Sequence, residues 1–282
     1  VSGTSLLSTL TVTVNGLLLG AGQTVRITQV RGLDDLPDIR TFDSPRAGSD
    51  GLDFGDDLLG GRTIEVDTYS RPAVPATTLN QLRAALLNTQ AGVLLISGIP
   101  GLPALQVNGR VRRRKIPTDT DLSLGIIRAA FDFECPDSRL YAATETVLTT
   151  GPGTATGTGL TPPLTPPLTP GGSSVGGHVK ATNSGLLRTP PIFRVAGPVS
   201  TGFSLLNATT QRTLTIGIPL AAGEFVDIDT DAKTVLLGGT ASRRSAMSGT
   251  WWDLPPGDSD VFYLPAGVAT GSLMTLRFRS AY

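Results

Sequence analysis

The sequence predicts a mainly β protein built as two domains. Three observations carry this reading. First, 34 Gly and 21 Pro make up about a fifth of the 282 residues, against an average nearer ~12%. Second, most apolar residues fall in short segments that alternate with polar ones at period two. Third, a dense breaker-rich block at residues 149–177 divides the chain. The composition excludes other classes. With 39% hydrophobic residues and a net charge of zero, the chain lacks the signature of disorder. Gly does not recur every third residue, so it is not collagen-like. The Gly and Pro excess argues against a helical bundle. Charged residues are only 16%, below the ~25–35% expected of a bare soluble surface, which points to surface covered by partners.

The elements follow in order. Residues 10–16 alternate and end in Asn15-Gly16, a hairpin turn pair. Residues 23–30 and 62–69 alternate likewise and flank a long Asp-rich loop, 32–61. Thr77 or Thr78 can cap the single helix, with Leu79, Leu82, Leu86 and Leu87 on one face. Strands follow at 93–97, 105–116 and 125–135. In the last, Ile127, Ala129, Phe131 and Phe133 share a face. The block at 149–178 contains Thr-Pro-Pro-Leu twice, at 161–164 and 165–168. Consecutive prolines favour polyproline II, so this is an interdomain linker or a long projecting loop. Beyond it, strands are expected at 191–197, 202–207, 212–218, 224–229, 234–237, 249–254, 258–264 and 271–279. Such spacing argues for a sandwich or barrel. The domains are then 1–148, a linker 149–178, and 179–282.

No catalytic constellation emerges. His178, the only histidine, sits beside Gly176-Gly177 with nothing to orient it as a base. Cys135, the only cysteine, excludes an intramolecular disulfide and reads as a small buried hydrophobe. One Cys and one His cannot form a zinc cluster. The stretch Asp50 to Asp57 lacks calcium-loop spacing and reads as a solvated loop or a dock for basic side chains. Arg110, Arg112, Arg113, Arg114 and Lys115 form a basic run. Without interleaved aromatics in a neutral chain it is a weak nucleic-acid signal and better fits a strand at an interface, or one facing the acidic loop. Trp251-Trp252 places one ring in the core. The other is covered by the linker or a partner, or exposed as a platform for sugar stacking. The chain has no apolar run long enough to span a membrane and no visible signal peptide. No enzyme, metal or cofactor is expected.

The second half carries a longer pattern: residues 190–197, 207–216 and 220–224, then Ile228-Asp229-Thr230, Val235 and Leu237-Gly238-Gly239. Gly249 to Asp258 with its Leu254-Pro255-Pro256-Gly257 turn completes it. This resembles the C-terminal galectin-like β-sandwich of siphophage distal tail proteins. Gly238 and Ser259 stand where that family commonly has Asn. The first half is similar to the same family's belt domain, a β-sandwich or split barrel with one helix. The cues there are residues 23–28, Gly51 to Gly55, the helix, and Phe131 to Tyr141, in which Pro136-Asp137 is reversed in order.

The resemblance implies a virion structural protein at the distal end of a long flexible tail. It implies a homo-hexameric ring closed by the belt domains and docked on the tail tube protein and the tail hub, with DNA passing through the lumen. The galectin-like domains would carry peripheral or receptor-binding proteins for host attachment. On this reading Arg110, Arg112, Arg113 and Arg114, with Val12, Val14, Val25 and Ile27, are the expected interface. Trp251 and Trp252 are the candidates for partner or glycan stacking. The alternatives are a carbohydrate-binding module for cell-surface glycans and a cell-wall hydrolase.

Overall fold

In the computed structural model, one strand, Leu105–Lys115, pairs with two different neighbours along its length. The structure describes residues 9–70, 76–87, 91–156, 173–175 and 177–282. The chain divides into two units, Val1–Ala143 and Thr144–Tyr282. In the first, residues 105–109 pair with Gly92–Ser97, and residues 110–115 pair with Arg128–Cys135. The handover falls at Gly109, where an added Cβ would lie 2.3 Å from the Glu134 carbonyl oxygen. Only glycine lets the two backbones approach this closely.

The sheet runs in the order Leu17–Gly20, Thr11–Val14, Gly92–Ser97, Leu105–Lys115, Arg128–Cys135, Arg62–Ser70, Val25–Arg31. Tyr141–Ala142 pairs beside Leu105 as an eighth strand. Alternation places Val12, Val14, Ile64, Val66, Leu94, Ile96, Val107, Val111, Phe131 and Phe133 inside. Asn15 and Gly16 both have positive φ, as a tight primed hairpin turn requires. The Asn15 amide donates to the Ala85 carbonyl at 2.8 Å, tying the turn to the end of the helix Ala76–Ala85.

That helix departs from expectation at both ends. Thr77 and Thr78 lie inside its first turn and are not its cap. Leu82 and Leu86 are buried, while Leu87 lies beyond the helix end and is exposed. A one-turn helix, Thr120–Ser123, is additional. Its cap is Asp119, which accepts from the Leu122 amide. One turn is too short to show apolar periodicity.

The second unit is a two-sheet β-sandwich. One sheet orders Thr146–Thr150, Leu273–Phe278, Ile192–Ala196, Phe225–Asp229, Thr234–Leu237 and Ala241–Ser242. The other orders His178–Asn183, Gly257–Ala266, Gly202–Asn207, Arg212–Ile216 and Met247–Gly249. Phe193, Phe203, Leu205, Ile228, Trp252, Tyr263 and Leu276 fill the space between them. The strand expected at 249–254 ends at Gly249, and Leu254 instead bridges to Thr189.

The boundary lies earlier than the sequence suggests. Thr146–Thr150 pairs with Leu273–Phe278 inside the second unit. Thr154–Thr156 pairs with Ser173–Val175. Both ends of the Pro-rich block are thus strands of the second unit, so the block is an insertion in that unit. Period-two reading missed them because Thr146–Thr150 sets Val147 and Leu148 side by side, and the other two are three-residue strands of mostly Thr and Ser. The Thr-Pro-Pro-Leu repeat lies outside the described residues.

Replacing Gly109 with Ala should destabilise the first unit by about 1–3 kcal/mol, because a backbone carbonyl cannot move aside as a side chain can. Chemical denaturation of the full chain should show this loss in one transition and leave the second unit's transition in place.

Candidate functional site

The Asp-rich loop is a β-hairpin arm. Ile39–Arg40 pairs with Leu58–Leu59, and Ser44–Pro45 pairs with Leu52–Asp53. The Gly55 amide donates to Asp43 at 3.0 Å, and Arg46 pairs with Asp53 at 2.9 Å. Of the carboxylates in the Asp50–Asp57 stretch, Asp53 is thus engaged within the hairpin by Arg46. The arm exposes Leu36, Ile39, Phe42, Leu52, Phe54, Leu58 and Leu59; Phe54 is 89% exposed and Phe42 62%. A two-stranded ribbon has no core of its own. Large apolar side chains gathered and exposed on one arm make it a candidate interaction surface.

Arg62 holds the root of the arm. Its guanidinium is buried and donates to the carbonyls of Gly32, Leu33, Asp35 and Ser138. Burial pulls its pKa below the ordinary value, and the planar fork meets oxygens of the segment entering the arm and of Ser138, after the Arg128–Cys135 strand. Sequence reading passed over it because it sits at an inward position of an otherwise apolar alternation.

The outward face beside the arm is a ladder of ion pairs. Arg31 bonds Glu65 at 2.8 Å and Asp67 at 3.0 Å. Arg113 pairs with Asp132 and Arg112 with Glu134, both at 2.8 Å. A bulge between Val111 and Arg113 sets this arrangement, since the extra residue, Arg112, keeps neighbouring charges outward. Arg114 lies opposite buried Phe131 and donates instead to the Arg83 carbonyl near the helix C-terminus. Arg110 is exposed, opposite Glu134. The basic run is thus largely engaged within its own chain, and each exposed pair contributes only ~0–1 kcal/mol.

Val12, Val14, Val25 and Ile27 are core residues, each at most 4% exposed, and offer no side-chain surface to a partner. Alternation had identified strands correctly but could not say which face a partner covers. Trp252 is 2% exposed and packs edge-on against Phe193, with ring centroids 5.2 Å apart. Trp251 is half-buried beneath the Arg244 guanidinium, 5.0 Å from its ring centroid. A stacking platform, if present, involves Trp251 and not Trp252. His178 stacks on Phe262 at 5.3 Å. Burial raises the Cys135 thiol to about 12, so it stays protonated at neutral pH.

After the Arg128–Cys135 strand, Asp137 accepts from Arg139 Nε at 3.0 Å and from the Tyr141 hydroxyl at 2.6 Å. Burial pushes its pKa up, but these hydrogen bonds outweigh that and hold it below the usual carboxylate value. The ionised form is favoured in the folded state, so its stabilisation is present above the unfolded value near ~3.9. It is lost as pH falls through the lower folded value. Asp137→Asn should therefore be less stable than the parent at pH 6. The gap should close below about pH 4, measured by urea denaturation at each pH.

Comparison with known proteins bears on the whole chain. Residues 184–282 match the family model for the siphovirus-type tail component, C-terminal domain. No curated protein matches the sequence. The SPP1 Dit protein (gp 19.1), described as a paradigm of hub adsorption apparatus in phages infecting Gram-positive hosts, superposes with a TM-score of 0.63 at 17% identity. The match covers 97% of this chain and 99% of that one. A chain of the phage P2 baseplate, in its activated conformation with Ca, gives a TM-score of 0.50 at 11% identity, covering 95% and 97%. Residues 184–282 thus match the siphovirus-type tail component C-terminal domain, and the chain as a whole has a Dit-like fold.

Proposed function

We propose that this protein is a structural hub at the distal end of a long flexible phage tail, where six copies form a ring. The first unit builds the ring and joins the tail tube to the tail-tip hub, with DNA passing through the lumen. The second unit carries peripheral or receptor-binding proteins. The observation that carries this reading is the arm with its seven exposed large apolar side chains, a surface suited to burial against a neighbouring subunit. The Dit-like fold and the tail-component domain support it. The low overall charge agrees with extensive covered surface. A structural role, and not an enzymatic one, fits a site made of apolar side chains and ion pairs. The carbohydrate-binding reading has weaker support, because Trp252 is core and one face of Trp251 is taken by Arg244.

Native mass spectrometry of the purified full chain should show a six-fold assembly, and imaging should show it as a ring. A strictly monomeric protein that is absent from tail tips would overturn the proposal. Replacing residues 39–59 with a Gly-Gly turn should yield monomers in which the second unit still melts cooperatively.

A further inference from the structure

The outward sheet face of the first unit holds a basin of about 400 Å³, within the range of side-chain and ligand pockets of roughly 300–1,000 Å³. Tyr69, Ala130 and Pro117 line it, together with Asp67, Lys115 and Arg128. The acids nearby are already matched: Asp67 with Arg31, and Asp121 with Arg128. Lys115 carries no ion pair among the described residues, and neither does Arg26, the exposed cross-strand neighbour of Tyr69. The basin is therefore a mixed surface in which Tyr69, Ala130 and Pro117 supply the apolar part, with two cations, Lys115 and Arg26, that carry no ion pair among the described residues.

The arm carries the complement. Phe54, the most exposed large apolar side chain of the described residues, is flanked by Asp53, Asp56 and Asp57. It does not enter its own chain's basin, since it is 89% exposed. The two features also lie apart along one strand. The arm leaves the Arg62–Ser70 strand at Arg62, while Tyr69 is seven residues further along, about 23 Å away at ~3.3 Å per residue; Asp67, on the near side of the basin, bonds Arg31 at the arm's other root. A knob at one place and a socket at another make a heterologous contact, which closes into a ring when the rotation permits.

We propose that Phe54 of one copy seats in the Tyr69–Ala130 basin of the next, with Asp56 and Asp57 facing Lys115 and Arg26. The proposal rests on the ring reading and specifies its interface. Phe54→Ala should raise the concentration at which rings dissociate roughly tenfold or more, as expected for a buried aromatic anchor. Lys115→Glu should weaken assembly, and adding Asp56→Lys to the same chain should restore it, because every copy supplies both halves. A Phe54→Cys/Ala130→Cys variant, oxidised under native conditions, should give a ladder of covalent multimers on a non-reducing gel. Rings that form normally in Phe54→Ala and Lys115→Glu, with only monomer in the oxidised double-cysteine chain, would overturn this contact while leaving the ring intact. A parent chain that never assembles would instead overturn the ring reading itself.

Discussion

Gly109 is the constraint on which the first unit depends. With no Cβ there, the Leu105–Lys115 strand passes close under the Glu134 carbonyl and changes partners midway. One continuous strand then serves two half-sheets around a shared core of Val107, Val111, Ile96 and Phe133. The half-sheet beyond the bend includes both strands that root the arm and the whole charged outer face. The geometry available to a partner is therefore set by a glycine that touches no partner.

The outer face and the arm divide the labour of recognition. Exposed ion pairs such as Arg113–Asp132 and Arg31–Glu65 add little stability. They do satisfy one another, and the face leaves only a few cations unmatched among the described residues. The arm does the opposite, exposing apolar area that only another surface can cover. Arg62 makes this workable. From the strand that leaves the arm, its buried guanidinium gathers carbonyls of the entering segment and of Ser138, so the arm leaves the sheet from a fixed point although the hairpin itself has little to hold it.

Much of the fold was legible in the residues. Alternation located the long strands 62–70, 105–115 and 128–135 within a residue or a few, because each buries one face and exposes the other. The Leu254-Pro255-Pro256-Gly257 turn and its flanking strands carried the tail-component pattern of the second unit. The candidate site was less legible. The arm read as a solvated loop or a dock for basic side chains because its apolar residues follow no period, and the basic run read as a strand at an interface or facing the acidic loop because its carboxylate partners lie on other strands.

By itself, then, the sequence determined the class of fold, the inward face of each strand and the tail-component character of the second unit, since these depend on local alternation and turn chemistry. Tertiary structure alone decided that Val12 and Ile27 are core and not interface, and that Thr146–Thr150 joins the second unit. It also decided that Phe54 stands clear on the arm and that a basin lies further along the strand that follows it. The physical reason is range. A residue's neighbours along the chain fix its conformation, but its neighbours across the sheet decide whether its side chain is buried, paired or left free for a partner.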